Sequence, residues 1–104
     1  MTMQKSAATI LLTDAGHHLE GLLELMARHD VVVTQQSDGH LARFPSGRAW
    51  LAASIDQIRM EIEALDLAAL NSIKLELRGS LSYVCGRDLD LMWTGDLEAL
   101  TRPT

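Results

Sequence analysis

A single cysteine, Cys85, rules out an intrachain disulfide and any Cys-x-x-Cys metal or redox site. Proline occurs twice and glycine seven times in 104 residues, too sparsely for a low-complexity or disordered segment. Basic charge is also short: nine Lys and Arg stand against 14 Asp and Glu, giving a net charge of −5 and a pI near 5.2. Such a field repels nucleic acid and anionic membranes, so a polyanion-binding role would need a local basic patch. Long apolar runs are missing as well. The stretch from Ala7 to Leu12, interrupted by Thr9, is too short for a secretory signal core and far too short for a membrane span. The expectation is a cytoplasmic protein with no nucleic-acid and no membrane partner. No P-loop, Gly-x-Gly-x-x-Gly, Gly-x-Ser-x-Gly or EF-hand pattern occurs, which in so short a chain favours a non-enzyme.

What is present is an ordinary globular composition, 47% hydrophobic and 22% charged. A chain of this length buries roughly 60–70% of its unfolded surface. One domain is expected over 1–104, with an ordered core from about 7 to 94 and a mobile tail over 95–104 in which Leu97 and Leu100 could dock.

The middle of the chain carries the strongest pattern. Ile58, Met60 and Ile62 alternate with Arg59, Glu61 and Glu63, the signature of a strand with one buried and one wet face. Around it lie the β-branched run Val31 to Thr34, a strand from His40 to Phe44, and one from Arg48 to Ala53 holding Trp50. Ser37-Asp38-Gly39, Pro45-Ser46-Gly47 and Ser54-Ile55-Asp56 supply the turns. Before this meander, Ala7 to Thr13 reads as a largely buried strand. Asp14 is placed to cap a helix whose stripe is Ala15, Leu19, Leu22, Leu23 and Met26, with Leu25 beside it. After it, Asp66 is placed to cap a second helix marked by Leu67, Leu70, Ile73, Leu77, Leu81 and Val84. Gly79 could stop that helix early. Leu89, Leu91 and Trp93 alternate with Asp90 and Met92, predicting a last strand. The order β-α-β-β-β-β-α-β is that of an α+β fold, an antiparallel sheet with two helices on one face.

Chemistry-bearing residues are few. His17 and His18 lie in the first turn of the first helix and His29 at its other end, about 18 Å away at 1.5 Å per residue, so they cannot share a metal within it. His40 stands alone on the meander, and surface histidines are the expectation. Cys85 has no adjacent base and reads as a small apolar group ending a helix. Glu61 and Glu63 could pair for acid–base work or form a solvated row. Arg43, Arg48 and Arg59 fall in three successive strands and gather into a patch only if the registers agree.

Leu25-Met26-Ala27-Arg28-His29 before the valine strand, Gly39-His40-Leu41-Ala42-Arg43-Phe44-Pro45-Ser46-Gly47, and Leu89-Asp90-Leu91-Met92-Trp93 are segments in which the chain resembles a small bacterial family catalogued as domain of unknown function 2218. The resemblance runs from about Thr9 to Trp93. Met26 stands where that family commonly has cysteine, and Tyr83-Val84 where a Phe-Ala-like pair is usual, so no thiol-dependent role carries over. The resemblance implies an accessory domain without assigned activity, linked to siderophore-interacting flavin reductases and so to siderophore iron handling. It points to Arg28, His29, Phe44, Pro45 and Gly47 as ligand-binding positions, with Arg28 clamping a carboxylate or hydroxamate. It gives His29 a hydrogen-bonding or transient iron-ligating role and names no catalytic residue, resident metal site or cofactor. The element order is also similar to half of the TATA-binding-protein-like architecture, in which the concave sheet face binds ligands or a second copy. Three functions follow as expectations: a non-enzymatic domain binding a small-molecule ligand or a siderophore reductase, a homodimer module, and a small flavin- or iron-dependent reductase component.

Overall fold

In the computed structural model, which describes residues 3–89 and 91–94, β1 (Gln4–Leu11) and α1 (Ala15–Arg28) lead into the meander. There follow β2 (Val32–Gln36), β3 (Gly39–Phe44), β4 (Gly47–Ala53) and β5 (Gln57–Ala64), and then α2 (Leu67–Cys85). The strands form one antiparallel sheet in the order β1-β5-β4-β3-β2, with the long-range partner β1 added to the free side of β5. This is the α+β arrangement the sequence predicts.

Register decides which residues face the helices. Met60 lies between Ala8 of β1 and Leu51 of β4, and Ile62 between Ser6 and Ala49. These six are all buried, as are Ala42 and Phe44 on β3. Onto this side α1 lays Ala15, Leu19, Leu22 and Met26, and α2 lays Leu70, Ile73, Leu77 and Leu81. The two helices also pack on each other, closing one apolar layer. Among the described residues, no helix packs on the opposite side of the sheet.

The helix ends show where local chemistry and geometry part. The Asp66 carboxylate accepts the Ala69 N–H at 2.8 Å, as an N-cap should. Asp14 holds the equivalent place before α1 in a left-handed conformation (φ 57°), and its side chain makes no capping hydrogen bond. An N-cap normally has extended backbone, as Asp66 does, and Asp14 departs from it. At the other end of α1, Asp30 (φ 64°) reverses the chain and the Val31 N–H bonds the Met26 carbonyl at 3.1 Å, burying both side chains.

Gly79 does not stop α2, which runs on to Cys85 and ends at the left-handed Gly86. A Cβ built at Gly79 meets nothing within 4 Å. Gly79→Ala should therefore stabilise the protein by about 1 kcal/mol through helix propensity alone, raising the thermal midpoint by roughly 5 °C. An unchanged midpoint would contradict this.

The expected last strand is a correction. Leu89 and Leu91 are buried, but the segment joins the sheet only through an isolated bridge between Ala7 and Thr94. Thr94 exchanges two backbone bonds with Ala7 there, and at Leu89 the backbone is held by α2 side chains. Arg78 Nε donates to the Leu89 carbonyl at 2.9 Å, and the Leu89 N–H donates to Ser82 Oγ at 3.0 Å. Trp93 then lies under the Lys74 ammonium, 5.7 Å from the ring centroid. The alternation of leucines thus serves to bury two side chains across α2, not to build a ladder. The suggested tail, with Leu97 and Leu100, lies outside the described residues.

Candidate functional site

The uncovered side of the sheet holds every second residue of each strand: Lys5 and Ala7 on β1, Leu41 and Arg43 on β3, Arg48 and Trp50 on β4, and Arg59, Glu61 and Glu63 on β5. The registers that send Ile58, Met60 and Ile62 to the core send these outward.

Glu63 is the electrostatic centre of the face. It stands in register between Lys5 and Arg48 and pairs with both, at 3.5 Å to Lys5 Nζ and 2.9 Å to Arg48 Nη2, with a second bond at 3.0 Å from Arg48 Nε. Glu61 reaches Arg59 at 3.8 Å. The two glutamates are each matched to cations, so the acid–base pairing considered for them is not formed. Arg43 lies directly opposite Arg48 and has no ion-pair partner among the described residues. With Lys5, Arg43, Arg48 and Arg59 against Glu61 and Glu63, these strand positions carry +2 on a chain of net −5, leaving −7 elsewhere.

Trp50 forms the apolar floor. Its ring lies on Gly39, where a Cβ would come within 2.8 Å of ring atoms Cε2 and Cζ2 and of the Leu51 carbonyl. Only glycine lets the indole come this close to β3 there. Trp50, Leu41 and Ala7, with Lys5, Arg48, Glu61, Glu63 and Thr94, line an open hollow of about 410 Å³, inside the range of small-molecule sites.

The positions suggested by the family resemblance divide into two groups. Phe44, Pro45 and Gly47 share a second hollow of about 460 Å³ at the β3–β4 turn, bordered by Arg43 and Arg48. Phe44 is buried beneath it, and Gly47 is held against Ala64 and Ile73. Arg28 and His29 are exposed at the end of α1 and line neither hollow. Arg28 pairs with Glu24 at 3.2 Å, the i, i+4 contact of a solvated helix face. Lys5, Leu41 and Thr94 are site residues that the sequence reading passed over. For Lys5 and Leu41 the available signal was their place at every second position of a strand.

The histidines do not converge. His17 and His18 meet edge to edge, with centroids 6.2 Å apart, and among the described residues no three His, Cys, Asp or Glu side chains are grouped to hold a metal ion. Cys85 is half-buried, and burial pushes its thiol up against the opposing charge of Arg87. It should therefore be alkylated by iodoacetamide at pH 7 more slowly than free cysteine. Faster modification than the free amino acid would contradict this.

No protein-family model matches the chain, and no curated protein matches it. Among solved structures the chain is similar to the NMR structure of PA4090 from Pseudomonas aeruginosa, at 16% identity and a TM-score of 0.70, over 86% of this chain and 94% of that one. At that identity the likeness speaks to the fold alone: the two chains share an α+β architecture across nearly their whole lengths.

Proposed function

We propose that this chain is a non-enzymatic binding domain that receives a small ligand on the uncovered face of its sheet. The observation that carries the proposal is the hollow floored by Trp50 and Leu41 and rimmed by the Lys5–Glu63–Arg48 ion pairs. A concave apolar floor with a few placed charges is the usual construction of a ligand site. The resemblance described above supplies a setting, siderophore iron handling beside a flavin reductase. Ferric siderophores, free iron, FMN and FAD are accordingly the compounds to screen by thermal shift. A ligand at a hundred times its dissociation constant stabilises by about 2.7 kcal/mol, or roughly 10 °C here. Trp50→Ala should abolish that shift, whereas Arg28→Ala and His29→Ala should leave it intact. A shift lost in the Arg28 variant and kept in the Trp50 variant would move the site to the end of α1.

A second reading rests on Leu11 and Val32, which are 72% and 61% exposed at opposite margins of the same face. They add exposed apolar side chains at two margins of the face, and a homodimer formed face to face would cover them. Light scattering across a concentration series would show a doubled mass, and a constant monomer mass would end this reading.

A further inference from the structure

The charges on this face have a polarity that selects among ligands. Arg43 and Arg48 are cross-strand partners at one end of the sheet, with Trp50 two residues along β4 from Arg48. Like charges directly opposite each other on a sheet repel. Arg48 is relieved by Glu63, while Arg43 is exposed and unmatched among the described residues. Arg48 lines both hollows, and Arg43 joins it in lining the second. An acceptor placed between the two guanidiniums would neutralise Arg43 and remain within reach of the indole.

We propose that the site takes a flat, anionic small molecule, its carboxylate or equivalent oxyanion held between Arg43 and Arg48 and its apolar ring lying over Trp50 and Leu41. This rests on the small-ligand reading above and adds the charge and orientation of the occupant. The charged groups lining the first hollow balance, so Arg43, unmatched among the described residues, is the cation left to meet an anion. Guanidinium–carboxylate bonding fixes the anionic end, and aromatic stacking fixes the plane.

The test uses three matched probes, 2-naphthoate, 2-naphthamide and 2-naphthylmethylammonium, titrated into Trp93→Phe protein so that Trp50 is the sole indole fluorophore. Naphthoate should quench Trp50 and bind about tenfold tighter than the amide, with the ammonium weakest. Arg43→Gln should remove the advantage of naphthoate over the amide and leave amide affinity and the thermal midpoint unchanged. Arg28→Gln should change nothing. Equal binding of naphthoate and the amide, with Arg43→Gln silent, would overturn the anionic assignment while the binding face stands. No quenching by any probe would overturn the assignment together with the small-ligand reading. Tighter binding of a short oligothymidylate than of naphthoate, or a dimeric mass with Trp50 already shielded, would also overturn it in favour of those occupants.

Discussion

Replacing Gly47 with alanine is expected to lower the thermal midpoint by about 10 °C, although only one methyl group is added. Gly47 begins β4 on the helix-facing side, in register with Phe44 on one neighbour and Ala64 on the other. A Cβ there would collide with the Glu63 carbonyl oxygen and come within 2.9 Å of Ala64 Cα and Ile73 Cδ1. Ile73 can turn away, but the other two atoms belong to the backbone of β5, which is hydrogen-bonded on both sides. Overpacking against groups that cannot move costs about 1–3 kcal/mol, and each kcal/mol shifts the midpoint of a domain this size by roughly 4–8 °C. Circular dichroism melting of the variant checks this, and an unaltered midpoint would mean that β4 and β5 are not held at this spacing. The strain would also reach the ligand face, because Glu63 presents its side chain there while its carbonyl blocks Gly47.

Met60→Ala should be more damaging still, by about 2–5 kcal/mol, because the vacated space is bounded by Ala8 and Leu51 in register and by the helices above. Met60 is wholly buried. One residue on, Glu61→Ala should change stability by less than about 0.5 kcal/mol, since its pairing with Arg59 is exposed and long. The contrast between adjacent positions tests the two-sided sheet directly. Comparable losses from Met60→Ala and Glu61→Ala in urea melts would show a second covered face, and the binding proposal would fall with it.

Much of this fold was legible because β5 states its own geometry. A strand that alternates Ile58, Met60 and Ile62 with charged residues fixes its period, its buried side and the need for helices on that side alone. The stripes of α1 and α2 answered that need. The misreadings have separate physical causes. Asp14 has capping chemistry, but its backbone is left-handed and its side chain makes no capping bond. Leu89, Leu91 and Trp93 alternate as a strand would, yet the Leu89 backbone bonds Ser82 and Arg78 on α2, contacts no local pattern announces. Gly47 reads as a turn former, which accounts for only half of its role, because the tight approach of Ala64 and Ile73 depends on pairing with a distant strand. The site was less visible for the same reason. Arg43, Arg48 and Arg59 could be seen as strand residues, but only the register puts Arg43 opposite Arg48 and sets Glu63 between Lys5 and Arg48. Trp50 could be seen as a large apolar group, but not that Gly39 makes its bed on the wet side.

The placement of β1 also bears on how the chain is made. β2, β3 and β4 each pair with the next strand through a short turn, whereas Leu11 meets Gln57, about 46 positions later. At roughly 5–20 residues per second, β1 leaves the ribosome several seconds before its partner exists. During that interval the segment Gln4–Leu11 is an unpaired strand with one charge, Lys5. A lone charge in such a segment hinders its pairing with the same strand on a neighbouring nascent chain. Lys5 would then have two partners in the life of the protein: Glu63 once folded, and, before that, the lysine of another copy that it holds off.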